Sequence, residues 1–313
     1  MTDSSPPPSA SSPLSLPVRT PGWGGKLLRG YSWWAVVLRS IFYVLLVVAV
    51  SIGAIQVLRI FSPHPSGPPA PRSLFLGEAV LALAALLAAL LMSFLERQKM
   101  DAYGLPARLA FGKLFWQGVL AGLAEVFALV GLIAAGGGYS FGVVVLRGGE
   151  IARWACFWAV FMCLVGMFEE FLFRGYVQST LGKRFGFWPA ALVLSALFGA
   201  AHLSNKGESW VGAASVVVVG LVLCLTLART GSLWFAVGLH ASFNFGQTFV
   251  FSVPDSGVVF PGHLSSAWLH GPAWLTGGSV GPEGSLFSFL TMGLLAYAIH
   301  RIYPRKTESA PRA

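Results

Sequence analysis

Charge is what this chain lacks most. Asp, Glu, Lys and Arg make up 11% of its 313 residues, against about 25% in soluble domains, which excludes an ordinary water-soluble enzyme. Cysteine is also scarce. Cys156, Cys163 and Cys224 all lie inside apolar runs without CxxC spacing, so neither a disulfide framework nor a zinc ribbon is supported, and they read as small core residues. HExxH is missing, which removes zincin-type membrane proteases. A GxSG-like serine elbow and a paired-aspartate motif are absent from the apolar runs too. The charge that is present is basic, 21 Lys and Arg against 12 Asp and Glu. It is spread between apolar runs rather than gathered in one stripe, so it speaks for bilayer orientation and against nucleic acid.

What the chain has is hydrophobic sequence, 55% of its residues. Residues 1–30 are a Pro/Ser-rich segment that can form neither a core nor a signal-peptide h-region. Beyond it, eight runs are candidates to cross about 30 Å of hydrocarbon. They lie near residues 36–58, 75–95, 114–136, 153–182, 187–203, 210–228, 232–250 and 285–302. Lipid offers the backbone no hydrogen bonds and alternating barrel strands are absent, so the expected fold is all-α, a polytopic transmembrane helical bundle of about eight spans. One domain is expected over residues 31–304, with a basic tail at 305–313; residues 251–284, without Lys or Arg, read as one long external loop.

An even number of spans places alternate loops on opposite sides, and Lys and Arg divide unequally between them. Fourteen fall on the side of the N-terminus, among them Arg97, Lys99, Arg108, Lys113, Lys183, Arg184, Arg229 and Arg301. Five fall on the other: Arg59, Arg72, Arg147, Arg153 and Lys206. Arg39 and Arg174 lie within spans. Both termini are therefore expected in the cytoplasm, in a plasma membrane if the protein is bacterial.

An ionisable side chain near mid-membrane costs roughly 2.5–3.5 kcal/mol even on insertion scales, so those present are functional candidates. Glu169, Glu170 and Arg174 lie in the fourth run, after fifteen uncharged residues (154–168). Glu170 and Arg174 stand at i, i+4 with the acid N-terminal, the favourable orientation for an ion pair. Glu169 points about 100° away, which leaves its carboxylate available to accept a proton. His240 and Asn244, also at i, i+4, can point into one cavity and donate to a developing oxyanion; helix-packing glue is the alternative for that pair. If the fourth and fifth runs turn near residues 183–186, Glu169 and His202 lie about 20 and 22 Å from the turn at 1.5 Å per residue. At equal depth, acid and imidazole could share a water and activate it for attack on a carbonyl. Glu125 has no such partner and reads as a gate, packing or pathway residue.

EEFLFR (Glu169, Glu170, Arg174), FGAAH (Phe198, His202) and HASFN (His240, Asn244) resemble the EExxxR, FxxxH and HxxxN motifs of the CPBP family. This is the family of type II CAAX-prenyl endopeptidases and bacteriocin-immunity (Abi) proteins, and the similarity covers roughly residues 110–250. The resemblance implies an intramembrane endopeptidase acting on a protein or peptide substrate, prenylated for part of the family. It implies that Glu169, with His202, activates water, that His240 and Asn244 support the oxyanion, and that Glu170 with Arg174 forms the supporting ion pair. Family members have been called metalloproteases. No cofactor is favoured here, because no short paired-ligand spacing compels one; a divalent metal such as zinc would take Glu169, His202 and His240 as ligands. Two rivals stand beside the protease: a non-catalytic immunity or regulatory membrane protein, and a proton-coupled transporter, for which repeated broken helices would be expected.

Overall fold

The computed structural model describes residues 27–61, 71–205 and 207–304; most of the two expected tails lies outside them. Each apolar run is helical. The helices are α1 (Trp33–Phe61), α2 (Pro71–Glu96), α3 (Lys113–Ala135), α4 (Gly149–Glu170), α5 (Gln178–Phe185), α6 (Phe187–His202), α7 (Trp210–Thr230), α8 (Leu233–Phe245), the single turn α9 (Ala273–Thr276) and α10 (Leu286–Ile302). The chain is an all-α membrane bundle. Among the described residues, five helical segments are long and apolar enough to cross a membrane: α1, α2, α3, α7 and the 37-residue stretch Gly149–Phe185. Helices α6 and α10, of 16 and 17 residues, reach only about 24–26 Å at 1.5 Å per residue. The expected eight spans thus correspond to eight helical regions, of which five meet the length of a full crossing.

The Gly149–Phe185 stretch is not a uniform α-helix. Phe171–Val177 forms a π-helical segment with a kink at Gly175 (φ −77°, ψ −106°), beginning just after Glu170. A second π segment, Gly246–Val250, follows α8 two residues after Asn244. Wide turns of this kind are frequent at functional sites. The first leaves the Phe171 carbonyl to Tyr43, whose hydroxyl is shared between Ala85 O (3.1 Å) and Phe171 O (3.3 Å). One side chain of α1 thereby ties α2 to the kink.

The bundle centre is α8, whose residues Leu233–Phe243 are all buried. It can lie this deep because α3 meets it through glycine. A Cβ on Gly122 would overlap the Leu239 carbonyl oxygen, and one on Gly238 the Phe115 carbonyl oxygen. Backbones approach this closely where membrane helices present small residues. Gly238→Val should force α3 and α8 apart, at the about 1–3 kcal/mol or more of overpacking. A drop in thermal midpoint is expected there, and none for Gly131→Val, since Gly131 has nothing within 4 Å of its Cβ position.

The two ends of the bundle are tied by separate loops. At one end Leu233 N donates to Gly104 O (2.8 Å), Trp234 Nε1 to Pro106 O (3.2 Å) and Arg229 Nη1 to Tyr303 O (3.4 Å). At the same end, Arg39 of α1 pairs with buried Glu96 of α2 (3.3 Å), which also accepts from the Tyr103 and Tyr176 hydroxyls. At the other end the strands β1 (Tyr139–Ser140) and β2 (Trp268–Leu269) pair antiparallel, Tyr139 with Leu269 and Ser140 with Trp268. Asn205 Nδ2 donates to Ser256 O (3.3 Å), and Ser279 Oγ to Gly207 O (2.7 Å). Residues 251–285 are therefore a cap pinned to two neighbouring loops.

Of the cysteines, Cys224 is buried as expected, Cys163 is half-buried and Cys156 is exposed on α4. The lipid-facing position of Cys156 departs from the core reading, since an apolar run has both an inner and an outer face.

Candidate active site

The motif helices α4, α6 and α8 bring Glu169, His202, His240 and Asn244 to the wall of one cavity of about 180 Å³. Glu169 reaches it from the C-terminal end of α4 and His202 from the C-terminal end of α6. Phe198 explains the spacing of the second motif. Its ring lies under the Arg174 guanidinium (4.2 Å) and stands edge-on to His202, with centroids 4.6 Å apart, and to His240 at 6.4 Å. One aromatic side chain packs against a charged member of each other motif.

Glu170 and Arg174 are fully buried and paired, Arg174 Nη1 to Glu170 Oε1 at 3.1 Å. The same Oε1 accepts from His240 Nδ1 at 3.0 Å. The other edge of the imidazole faces Glu169, with His240 Nε2 3.5 Å from Glu169 Oε2. His240 is thus a bridge between the two glutamates, a contact that the spacing of the motifs does not reveal because 70 residues separate the partners. With Nδ1 donating to Glu170, Nε2 can donate to an oxyanion only from an imidazolium, and the flanking carboxylates supply its countercharge. His202 has the complementary arrangement. Its Nδ1 lies 2.8 Å from Phe198 O, and since a carbonyl only accepts, Nδ1 carries a proton, which in the neutral ring leaves Nε2 its lone pair.

Glu125 is brought nowhere near these groups. It is buried in a separate groove between α3 and α10, beside Thr291. Glu78 on α2, which belongs to none of the three motifs, lies within electrostatic reach of Glu169.

The cavity has a second wall that the motifs do not announce. Asp255, Ser256 and Glu283 of the cap line it with the motif residues. The π segment after α8 aims Gln247 and Thr248 at these acids: Gln247 Nε2 donates to Glu283 Oε1 (2.5 Å) and Thr248 Oγ1 to Asp255 Oδ2 (3.0 Å). Ser256 Oγ donates to Glu283 Oε2 (3.0 Å). Burial, and then the Glu283 charge, hold the Asp255 carboxyl well above the usual carboxylate range. The folded state therefore binds this proton more tightly than the unfolded chain. The stability it contributes is present below the unfolded value of about 3.9 and is lost as pH rises through the elevated folded value. Asp255→Asn should flatten that loss and raise the thermal midpoint at pH 8 relative to the parent, read by melting across a pH series.

Among the described residues no group of three or more His, Cys, Asp and Glu side chains is disposed to hold a metal ion. Glu169, His202 and His240 share a cavity. His240 Nδ1 is taken by Glu170 and His202 Nδ1 by its own helix, so the two Nε2 atoms and the Glu169 carboxylate are the groups that would hold a zinc ion, which would supply Lewis-acid activation of water.

No curated protein matches the chain. The family model described as Type II CAAX prenyl endopeptidase Rce1-like matches residues 151–246, the stretch that holds all three motifs, and across that stretch the CAAX-protease family resemblance drawn from Glu169, Glu170, Arg174, His202, His240 and Asn244 holds.

Proposed function

We propose that the protein is an intramembrane endopeptidase that hydrolyses a peptide bond in a protein or peptide substrate with water activated by Glu169 and His202. The observation that carries this reading is the convergence of Glu169, His202, His240 and Asn244 on one half-open cavity inside an apolar bundle. Glu169 has no ion pair with Arg174, because Glu170 takes that role.

In this reading the Glu169 carboxylate accepts a proton from water oriented by the His202 Nε2 lone pair, and the water oxygen bonds to the scissile carbonyl carbon. Charge on the carbonyl oxygen is met by His240 Nε2–H and the Asn244 amide. As the C–N bond breaks, the proton held by Glu169 passes to the leaving amine. Glu170 and Arg174 touch no reacting atom; they hold His240 by its Nδ1 edge. Immunity-type or regulatory binding with an idle site would need none of these protonation assignments. A transporter would be expected to carry paired broken helices related by an internal repeat, and the sequence shows no convincing pair.

The test is cleavage of a candidate substrate by the full chain in membranes, compared with Glu169→Gln, His202→Ala and His240→Ala. Equal product from all four would remove the protease reading. Treatment with a chelator should leave the parent rate unaltered; inhibition reversed by added zinc would show that Glu169, His202 and His240 hold a metal.

A further inference from the structure

We infer that the catalytic cavity opens on the non-cytoplasmic side of the membrane, so that its substrates are exported polypeptides rather than proteins of the cytosol. This rests on the protease reading for the word substrate, but its geometry is independent of that reading.

The cavity belongs to one end of the bundle. Its lining draws on the cap through Asp255, Ser256, Val258 and Glu283 and on the adjoining loop through Asn205. Helix α6 contributes His202, its last residue, which joins that loop. The hydrogen bonds of Asn205 to Ser256 and of Ser279 to Gly207 hold these segments at one end together with the β1–β2 pair. No lining residue comes from the loop at 97–112 or from the turn at 183–186, which belong to the opposite end. At the mouth, Val258 is 37% exposed.

The two ends differ in charge. The loop between α2 and α3 carries Arg97, Lys99, Arg108 and Lys113, the α5–α6 turn Lys183 and Arg184, the α7–α8 turn Arg229, and the C-terminal end Arg301. The hydrogen bonds of Leu233 to Gly104, Trp234 to Pro106 and Arg229 to Tyr303 place these loops at one end, and Lys183 lies 5.9 Å from the Tyr103 ring, which brings the α5–α6 turn there too. The loops that alternate with these carry five, Arg59, Arg72, Arg147, Arg153 and Lys206, against fourteen, and the cap has neither Lys nor Arg between residues 251 and 285. An excess of Lys and Arg in short loops marks the cytoplasmic side. The basic end is then cytoplasmic, and the cavity, at the other end, faces outward.

Two measurements on the full chain, expressed in the inner membrane of a bacterial host, test this. In intact spheroplasts a membrane-impermeant maleimide should label Val258→Cys and spare Phe111→Cys, which lies in the opposite loop and is 48% exposed. Labelling of the two should differ by an order of magnitude above the background of the native cysteines, and permeabilisation should equalise them. A reporter peptide fused outside a membrane anchor should be cleaved in a Glu169-dependent manner, and the same peptide fused inside should not. Labelling of Phe111→Cys alone in intact spheroplasts, or cleavage confined to the inner reporter, overturns the inference. If both reporters stay whole while Val258→Cys is labelled, the outward face stands and the protease reading falls.

Discussion

On the proposed mechanism, Glu169→Gln is expected to lower peptide-bond cleavage by about 10²–10⁴-fold, the usual contribution of a positioned general base, and to leave the bundle folded. The substitution keeps the volume and one acceptor oxygen and removes the group that takes the proton. Glu169 is the more exposed of the two adjacent acids, with a side chain at 21% against 0% for Glu170, and His240 keeps the Glu170 carboxylate at its Nδ1 edge when Glu169 is neutralised. The thermal midpoint of Glu169→Gln should therefore fall much less than that of Glu170→Gln. Asn244→Ala should cost about 10²–10³-fold through the oxyanion and should leave substrate binding nearly untouched. A variant set in which Glu169→Gln cleaves at the parent rate would show that the proton acceptor lies elsewhere in the cavity; Glu283 and Asp255, on its other wall, would be the groups to test next.

The parts of this molecule that were legible in the sequence are those governed by short-range rules. Lipid as solvent forces helices, so each run of apolar residues announced an element within a few residues of its bounds, and Gly186 at φ 90° marks the predicted turn before α6. The i, i+4 relation of Glu170 and Arg174 is a property of one helix and appeared as an ion pair at 3.1 Å. The contacts that were not legible are those between distant segments. His240 reaches both glutamates across 70 residues, and Arg39 finds Glu96 on another helix. The acids of the cap fall outside the three motifs and within a segment whose Gly, Pro and Ser content reads only as loop. The π segments were signalled weakly, by Gly175 and Gly246 just downstream of the first and third motifs. A glycine there is ambiguous by itself, because it serves a kink, a close packing contact or a cap equally well.

Removing one member of the Glu170–Arg174 pair should be the most destabilising single change in the site. Both side chains have no exposure, and an uncompensated buried charge costs about 3–5 kcal/mol. Arg174→Met leaves Glu170 with only His240 as a partner, and Glu170→Gln leaves a guanidinium whose Nε and Nη2 already have no acceptor among the described residues. Both single variants should melt well below the parent and lose cleavage. The double variant Glu170→Gln with Arg174→Met separates the two effects. It contains no unpaired charge, and Met fills much of the space over Phe198, so most of the lost stability should return, as it does when buried ion pairs are replaced as a unit. Cleavage should not return with it. A neutral amide at position 170 still accepts from His240 Nδ1 but no longer supplies negative charge to balance the imidazolium, so the Nε2–H aimed at the oxyanion is weakened. A positioning role predicts this split, with the melting temperature rescued and kcat still depressed. If the pair were only structural, stability and rate would recover together.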